Sequence, residues 1–116
     1  MFEITPSTFA VIENDSELRF RHKLANVLRD AVPSLRSEPP ETFDPQLRLL
    51  IEQARSYGLA SEQAIGSYAI TAGLLGVDFA DRLPGARQIL AGHEPEARKA
   101  DLLEAFTLNL LSVLDR

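Results

Sequence analysis

The chain contains no cysteine, which removes disulfides, thiolate metal sites and thiol nucleophiles from consideration. No stretch approaches the ~18 uninterrupted apolar residues that a membrane-spanning helix needs. Positive charge is scarce as well. Residues 1–58 carry seven Lys and Arg against nine Asp and Glu, and residues 59–116 carry five against eight, for a net charge of −5. Neither half is a polybasic arm, so the phosphate neutralisation that drives nucleic-acid binding has no source. The six glycines form neither GxGxxG nor GxxxxGK, so no phosphate cradle is written into the chain. Sustained period-two alternation and solenoid-length repeats are also missing. The opening residues, MFEITPSTFAVIENDSE, place Glu3 early and hold no apolar run of leader length. The expected compartment is therefore the cytoplasm, with export alongside a partner as the alternative.

What remains is an ordinary globular composition, 45% hydrophobic and 25% charged over 116 residues. That length fits one domain, 1–116, with one core and little room for a deep private pocket. The punctuation is that of helices. Thr5-Pro6 reads as a cap followed by proline in the first turn. Phe9, Ile12, Ser16, Phe20, Leu24, Val27, Leu28 and Ala31 then recur at helical steps, which predicts one helix over 6–32. Asn14-Asp15-Ser16 is a rival start, but the stripe crosses it without a change of phase. A Pro-rich linker is expected at 33–43, PSLRSEPPETF. Asp44-Pro45 repeats the cap signal and predicts a second helix over 45–57, stopped by Gly58 with Leu59 as the hydrophobic contact. Ser61 caps a third helix, 62–75, ending at Gly76. A helical turn at 79–83, a stop at Pro84-Gly85, and helices over 86–91 and 95–114 complete the reading. The fold class expected is all-α, an irregular bundle of four main helices plus one or two short ones. Its core is expected at Phe20, Leu24, Val27, Leu50, Ile51, Ile65, Leu103, Phe106 and Leu110.

Chemistry is thinly represented. His22 lies in RFRHK and His93 in a Gly-Glu-Pro loop, and neither has a Ser, Asp or Glu partner in view that would make it a catalytic base. The metal-ligand spacings HExxH, HxxxH and CxxC are absent. The carboxylate pairs Asp78/Asp81, Glu94/Glu96 and Asp101/Glu104 sit beside turns, where acidic residues cap helices, rather than across a cleft. No catalytic residue, metal or cofactor is expected, and the protein is not expected to be an enzyme.

Surfaces are more informative. Gly66 and Gly73 lie inside the third helix, where each costs about 1 kcal/mol relative to alanine. With Ala69 and Ala72 they make a low face, suited to close packing within the bundle or to a partner's helix. Arg19, His22, Lys23 and Arg29 form a mixed basic face on the first helix, interrupted by Asp15, Asn26 and Asp30. On the last helix Leu102, Leu103, Phe106, Leu110, Val113 and Leu114 make an inward stripe, and Leu108 and Leu111 fall outside it. Tyr57, Tyr68 and Phe79 stand close in sequence to the small-residue face, and aromatics are frequent binding anchors. The partner-binding candidates are Tyr57, Tyr68, Ala72, Gly73, Phe79, Leu108 and Leu111.

Residues 57–90, YGLASEQAIGSYAITAGLLGVDFADRLPGARQIL, carry a familiar pattern. Tyr57-Gly58, Ser61-Glu62, Tyr68, Gly76-Val77-Asp78-Phe79 and Ile89-Leu90 together resemble small bacterial proteins encoded with type VI secretion spike, PAAR or toxin components. Ala72-Gly73 departs from that pattern, which has bulkier apolar side chains there. The resemblance transfers no functional residue. It implies a non-enzymatic accessory: an effector adaptor, a chaperone or an immunity protein whose partner is a toxin, effector or spike component. The competing expectation is a homo-oligomeric structural or regulatory domain paired through the extra leucines.

Overall fold

A computed structural model describes residues 6–114, with side chains from 17 to 113. The chain is all-α, with no strand among the described residues. Its helices are α1 (Pro6–Ala31), α2 (Pro40–Ser56), α3 (Glu62–Leu75), α4 (Phe79–Arg82), α5 (Pro84–Ala91) and α6 (Glu96–Leu114), with one 3-10 turn at Pro33–Leu35. Helix α1 runs unbroken through Asn14-Asp15-Ser16, as its continuous stripe predicts. The cap expected at Thr5, and the side chains of Phe9, Ile12, Asp15, Ser16 and Leu114, lie outside what is described.

Helix α2 begins five residues earlier than the Asp44-Pro45 signal implies, so the 33–43 linker is shorter than expected. Pro39 is the extended cap, Pro40 is the first helical residue, and the N–H groups of Thr42 and Phe43 both donate to the Pro39 carbonyl. Proline at the first position loses no helical hydrogen bond. Pro45 lies within the helix at the expense of one bond to the preceding turn. The early start is stabilised by Phe43, one turn before Leu47 and buried with it, which extends the α2 stripe backwards. The same logic moves the start of α5. Pro84 opens that helix instead of stopping its predecessor.

The ends of α3 follow the expected chemistry. Ser61 Oγ accepts from the Ala64 N–H at 3.1 Å, and Gly76 leaves the helix at φ +109. Helix α2 closes in a Schellman pattern. Gly58 sits at φ +84, its N–H donates to the Arg55 carbonyl, and the Leu59 N–H donates to the Ala54 carbonyl. Leu59 is buried beneath the turn.

Helix α3 is the centre of the molecule, packed by α1, α2 and α6. Leu24 lies beside Gly66 and Val32 beside Gly73, so α1 and α3 run the same way. Glu96 meets Ser61 and Thr107 meets Thr71, so α6 runs that way too. Helix α2 runs against α1, with Arg55 paired to Glu17 and Arg29 over Phe43.

The core contains Phe20, Leu24, Leu50, Ile51, Ile65 and Leu103 as expected. Val27 is a correction. It is 42% exposed while Leu28 is 1% exposed, because the buried α1 positions step by four, from Phe20 through Leu24 to Leu28 and on to Val32. On α6 the buried face is Lys99, Ala100, Leu103 and Thr107. Phe106 and Leu110 flank it, half-buried, and Val113 is exposed instead of inward.

Candidate functional site

Three of the seven predicted partner residues are brought together, largely inside the molecule. Tyr57, Tyr68 and Phe79 form an aromatic row with ring centroids 6.0 and 5.0 Å apart. Tyr68 and Phe79 are core, 2% and 0% exposed, and Tyr57 is half-buried against them. The Tyr68 hydroxyl donates to Gln53 Oε1 at 3.2 Å. Burial, followed by the proximity of Tyr57 and Asp81, pushes its pKa up to about 12. Ala72 is buried as well. A Cβ built on Gly73 would stand 2.9 Å from Val32 Cγ2 and 3.8 Å from both Leu28 and Leu35. The small residues at 72 and 73 therefore let the end of α1 close onto α3. Leu108, by contrast, is 61% exposed, and Leu111 is half-buried.

A set of polar residues absent from the sequence reading fixes the helix ends. Lys99 Nζ, on α6, donates to the Leu90 carbonyl at 2.8 Å and to the Tyr57 carbonyl at 3.1 Å, joining the ends of α5 and α2. Arg36 donates to the Arg29 and Asp30 carbonyls at the end of α1. Arg82 reaches the Leu75 carbonyl ending α3, and Arg87 reaches the Asp81 carbonyl ending α4. Five helix C-termini thus receive a cation, which satisfies orphan carbonyls and opposes the negative end of each dipole. One turn before Lys99, Glu96 Oε1 accepts the Ser61 N–H at 2.7 Å and the Ala60 N–H at 3.3 Å. The Ser61 hydroxyl, followed by its N–H, holds the Glu96 carboxyl below its ordinary 4.5. Arg29, expected on a basic face, instead donates to the Glu38 carbonyl and stacks on Phe43.

Hollows remain beside α1, among them a small one of about 220 Å³ lined by Leu28, Phe43, Leu50 and Gly73 and two larger surface grooves. The first, about 750 Å³, separates α1 from α2 and includes Arg21, His22, Asp44 and Arg48. Two of its cations share one carboxylate: Arg48 pairs with Asp44 at 3.1 Å and Arg21 approaches it at 3.8 Å. His93 is exposed in the turn after α5. Among the described residues no group of three His, Asp or Glu converges as metal ligands would.

The second groove, about 510 Å³, has α3 as its floor, α1 as one wall and α6 as the other. Gly66, Ser67 and Ile70 form the floor, Phe20 and Val27 the α1 wall, and Glu104 the α6 wall. A Cβ on Gly66 would meet only Leu24 Cδ1, at 3.9 Å, so nothing overlies it as Val32 overlies Gly73. Leu108 and Leu111 follow Glu104 at four and seven residues on the same face of α6, beyond the groove itself.

No protein-family model matches the chain, and no curated protein or solved structure matches it either.

Proposed function

We propose that this protein is a helical binding module, an adaptor, chaperone or immunity protein for a secreted bacterial toxin or effector, with a type VI secretion partner favoured. It acts stoichiometrically rather than as a catalyst, and it meets its partner in the cytoplasm. The observation that carries the reading is the groove over Gly66, where apolar Val27 stands exposed on the α1 wall, with Leu108 exposed further along α6. An exposed apolar side chain beside a concave strip is what a partner helix buries. The secretion-linked partner is supported by the resemblance over residues 57–90. The acidic net charge suits a cap over a basic active site or a shield for a basic effector segment.

The test is co-expression with the products of neighbouring genes, followed by pull-down of wild type and of Leu108→Glu, Leu111→Glu. Binding by wild type that is lost in a folded double mutant supports the reading. Equal binding by both removes the α6 wall from the interface. A second reading has its own observation: Val113 is 62% exposed beyond Leu108 on the same helix, a surface that a second copy could cover. If sedimentation shows a dimer that the double mutant dissociates, without any partner, that homo-oligomeric reading replaces the first.

A further inference from the structure

The groove between α1 and α2 gathers positive charge on a chain whose net charge is −5. Arg21 and Arg29 stand two turns apart on the α1 wall, His22 adjoins Arg21, and Arg48 comes from α2. Two carboxylates share the groove, Asp44 and Glu41. Asp44 is divided between two guanidiniums: its Oδ2 is 3.1 Å from Arg48 Nε, and its Oδ1 is 3.8 Å from Arg21 Nε. Glu41 is exposed and pairs with no described residue. Arg29 donates to the neutral carbonyls of Arg36 and Glu38, so no carboxylate cancels its charge. The guanidiniums therefore outnumber the anions.

Arg21 is the least satisfied of them. Its Nε–H is buried without a hydrogen-bond partner, because 3.8 Å to Asp44 is too long for one. The side chain is only 17% exposed, and none of its N–H groups bonds to a described residue. A guanidinium shielded from water and left without an acceptor is costly. An oxyanion is the acceptor that its planar fork of donors fits. Arg21 and Arg48 are no further apart than the Asp44 carboxylate spans, close enough for a second oxyanion of similar size to bridge them. Beside these charges the groove is apolar, with Leu18 exposed and Ala25, Phe43 and Leu47 in the lining. Sites for small ligands join such a lining to a few convergent polar groups.

We infer that the α1–α2 groove binds a small organic anion, a carboxylate or phosphate on an apolar body, with its oxygens between Arg21 and Arg48 and its body on the apolar lining. This site lies on a different face of α1 from Val27, so it does not depend on the Gly66 groove or on the binding role proposed above.

The probes are phenyl phosphate and benzoate, with inorganic phosphate as a head group alone and phenol as a body alone. Titrations of the isotope-labelled full chain at low salt, followed by NMR, should saturate with at least one of the two organic anions. Shifts should centre on residues 18–29 and 40–48, and the tighter ligand identifies the head group. Inorganic phosphate should bind about tenfold more weakly than phenyl phosphate, which also buries its ring, and phenol should not saturate. Arg48→Gln alters a side chain that is 59% exposed, so the core is untouched; it should weaken binding at least about fivefold, as should Arg21→Gln. Asp44→Asn, which frees both guanidiniums from their internal anion, should tighten binding. Arg98→Gln, the same change of charge at an exposed position of α6, should leave it unaltered. Failure of both organic anions to saturate overturns the site. So do shifts centred elsewhere, equal weakening by Arg98→Gln and Arg48→Gln, or weaker binding by a folded Asp44→Asn. Inorganic phosphate binding as tightly as phenyl phosphate overturns the apolar body, and with it the ligand class.

Discussion

Gly66 and Gly73 lie two turns apart on α3, and α1 covers them differently. At Gly73 the chain packs tightly on the α1 side: Val32 comes so near that a Cβ would be 2.9 Å from its methyl, with Leu28 and Leu35 behind. At Gly66 the nearest such contact is 3.9 Å away and the surface above is groove. One glycine is required by packing and the other is not. A helical glycine without a packing requirement is a loss of about 1 kcal/mol in folding, and a groove floor is a reason for a chain to carry it.

The contrast extends to the two α1 residues that face these positions. Leu28→Ala should cost ~2–5 kcal/mol, because it removes a buried side chain packed beside Gly73. Val27→Ala, on the groove wall, should stay within about 0.5 kcal/mol of wild type. Urea unfolding of the two variants measures both. Similar losses would mean that the groove is closed in solution and that the two ends of α3 do not differ.

Lys99 tests what holds the ends of α2 and α5 to α6. Lys99→Met keeps the length and apolar stem of a side chain that is 9% exposed, but strands the Leu90 and Tyr57 carbonyls. The expected loss is about 1–3 kcal/mol, the cost of buried acceptors left without donors. Lys99→Arg should recover part of it. If Met is as stable as Lys, the ammonium contributes nothing beyond its stem.

The glycines themselves should then change stability in opposite directions. Gly66→Ala should stabilise by up to ~1 kcal/mol, since it gains helix propensity and meets only an ordinary contact. Gly73→Ala gains the same propensity but forces Val32, a stiff β-branched side chain in a tight turn, to move. It should lose about 1 kcal/mol net. Thermal melts of the pair decide, and two shifts of the same sign would remove the distinction between the ends.

Much of this architecture was legible in the residues, and the gaps have physical causes. Ser61, Gly58 and Gly76 mark their helix ends because capping chemistry is local. The start of α2 was obscured by two proline signals in succession. Phe43, four residues before Leu47, was the available cue, since it continues the stripe past Asp44-Pro45. Val27 and Leu28 are adjacent and both apolar, so periodicity alone cannot choose between them. The choice is made by Gly73, a long-range contact. Lys99 was not legible at all. A lysine in a polar helical turn reads as solvated, and its two acceptors come from residues 57 and 90. The binding candidates divide on the same principle. Tyr68, Ala72 and Phe79 were selected for proximity in sequence and belong to the core, whereas Leu108 was selected by its angle on a helical wheel and is exposed.

The smallest effect expected concerns the end of α3 where the groove opens. At that end only Leu24, at 3.9 Å, approaches a Cβ on Gly66, and the start of the helix is held by Glu96, whose carboxylate accepts the Ala60 and Ser61 N–H groups. Its folded pKa lies below the ordinary 4.5, chiefly through the Ser61 hydroxyl. A depressed carboxyl pKa contributes stability that is present above the unfolded value and lost as pH falls through the folded one. Glu96→Gln should therefore be less stable than wild type at pH 7, and the gap should narrow below about pH 4.5 as the wild-type carboxylate takes up its proton. Thermal melts of both proteins across that range provide the measurement. Hydrogen exchange at the Ala60 and Ser61 amides should rise in the variant at pH 7, while Gly76, at the opposite end of α3, keeps its protection. A gap that is constant with pH would show that Glu96 acts through shape alone. Equal loss of protection at both ends would show that α3 opens as one unit, with no difference between its covered and uncovered halves.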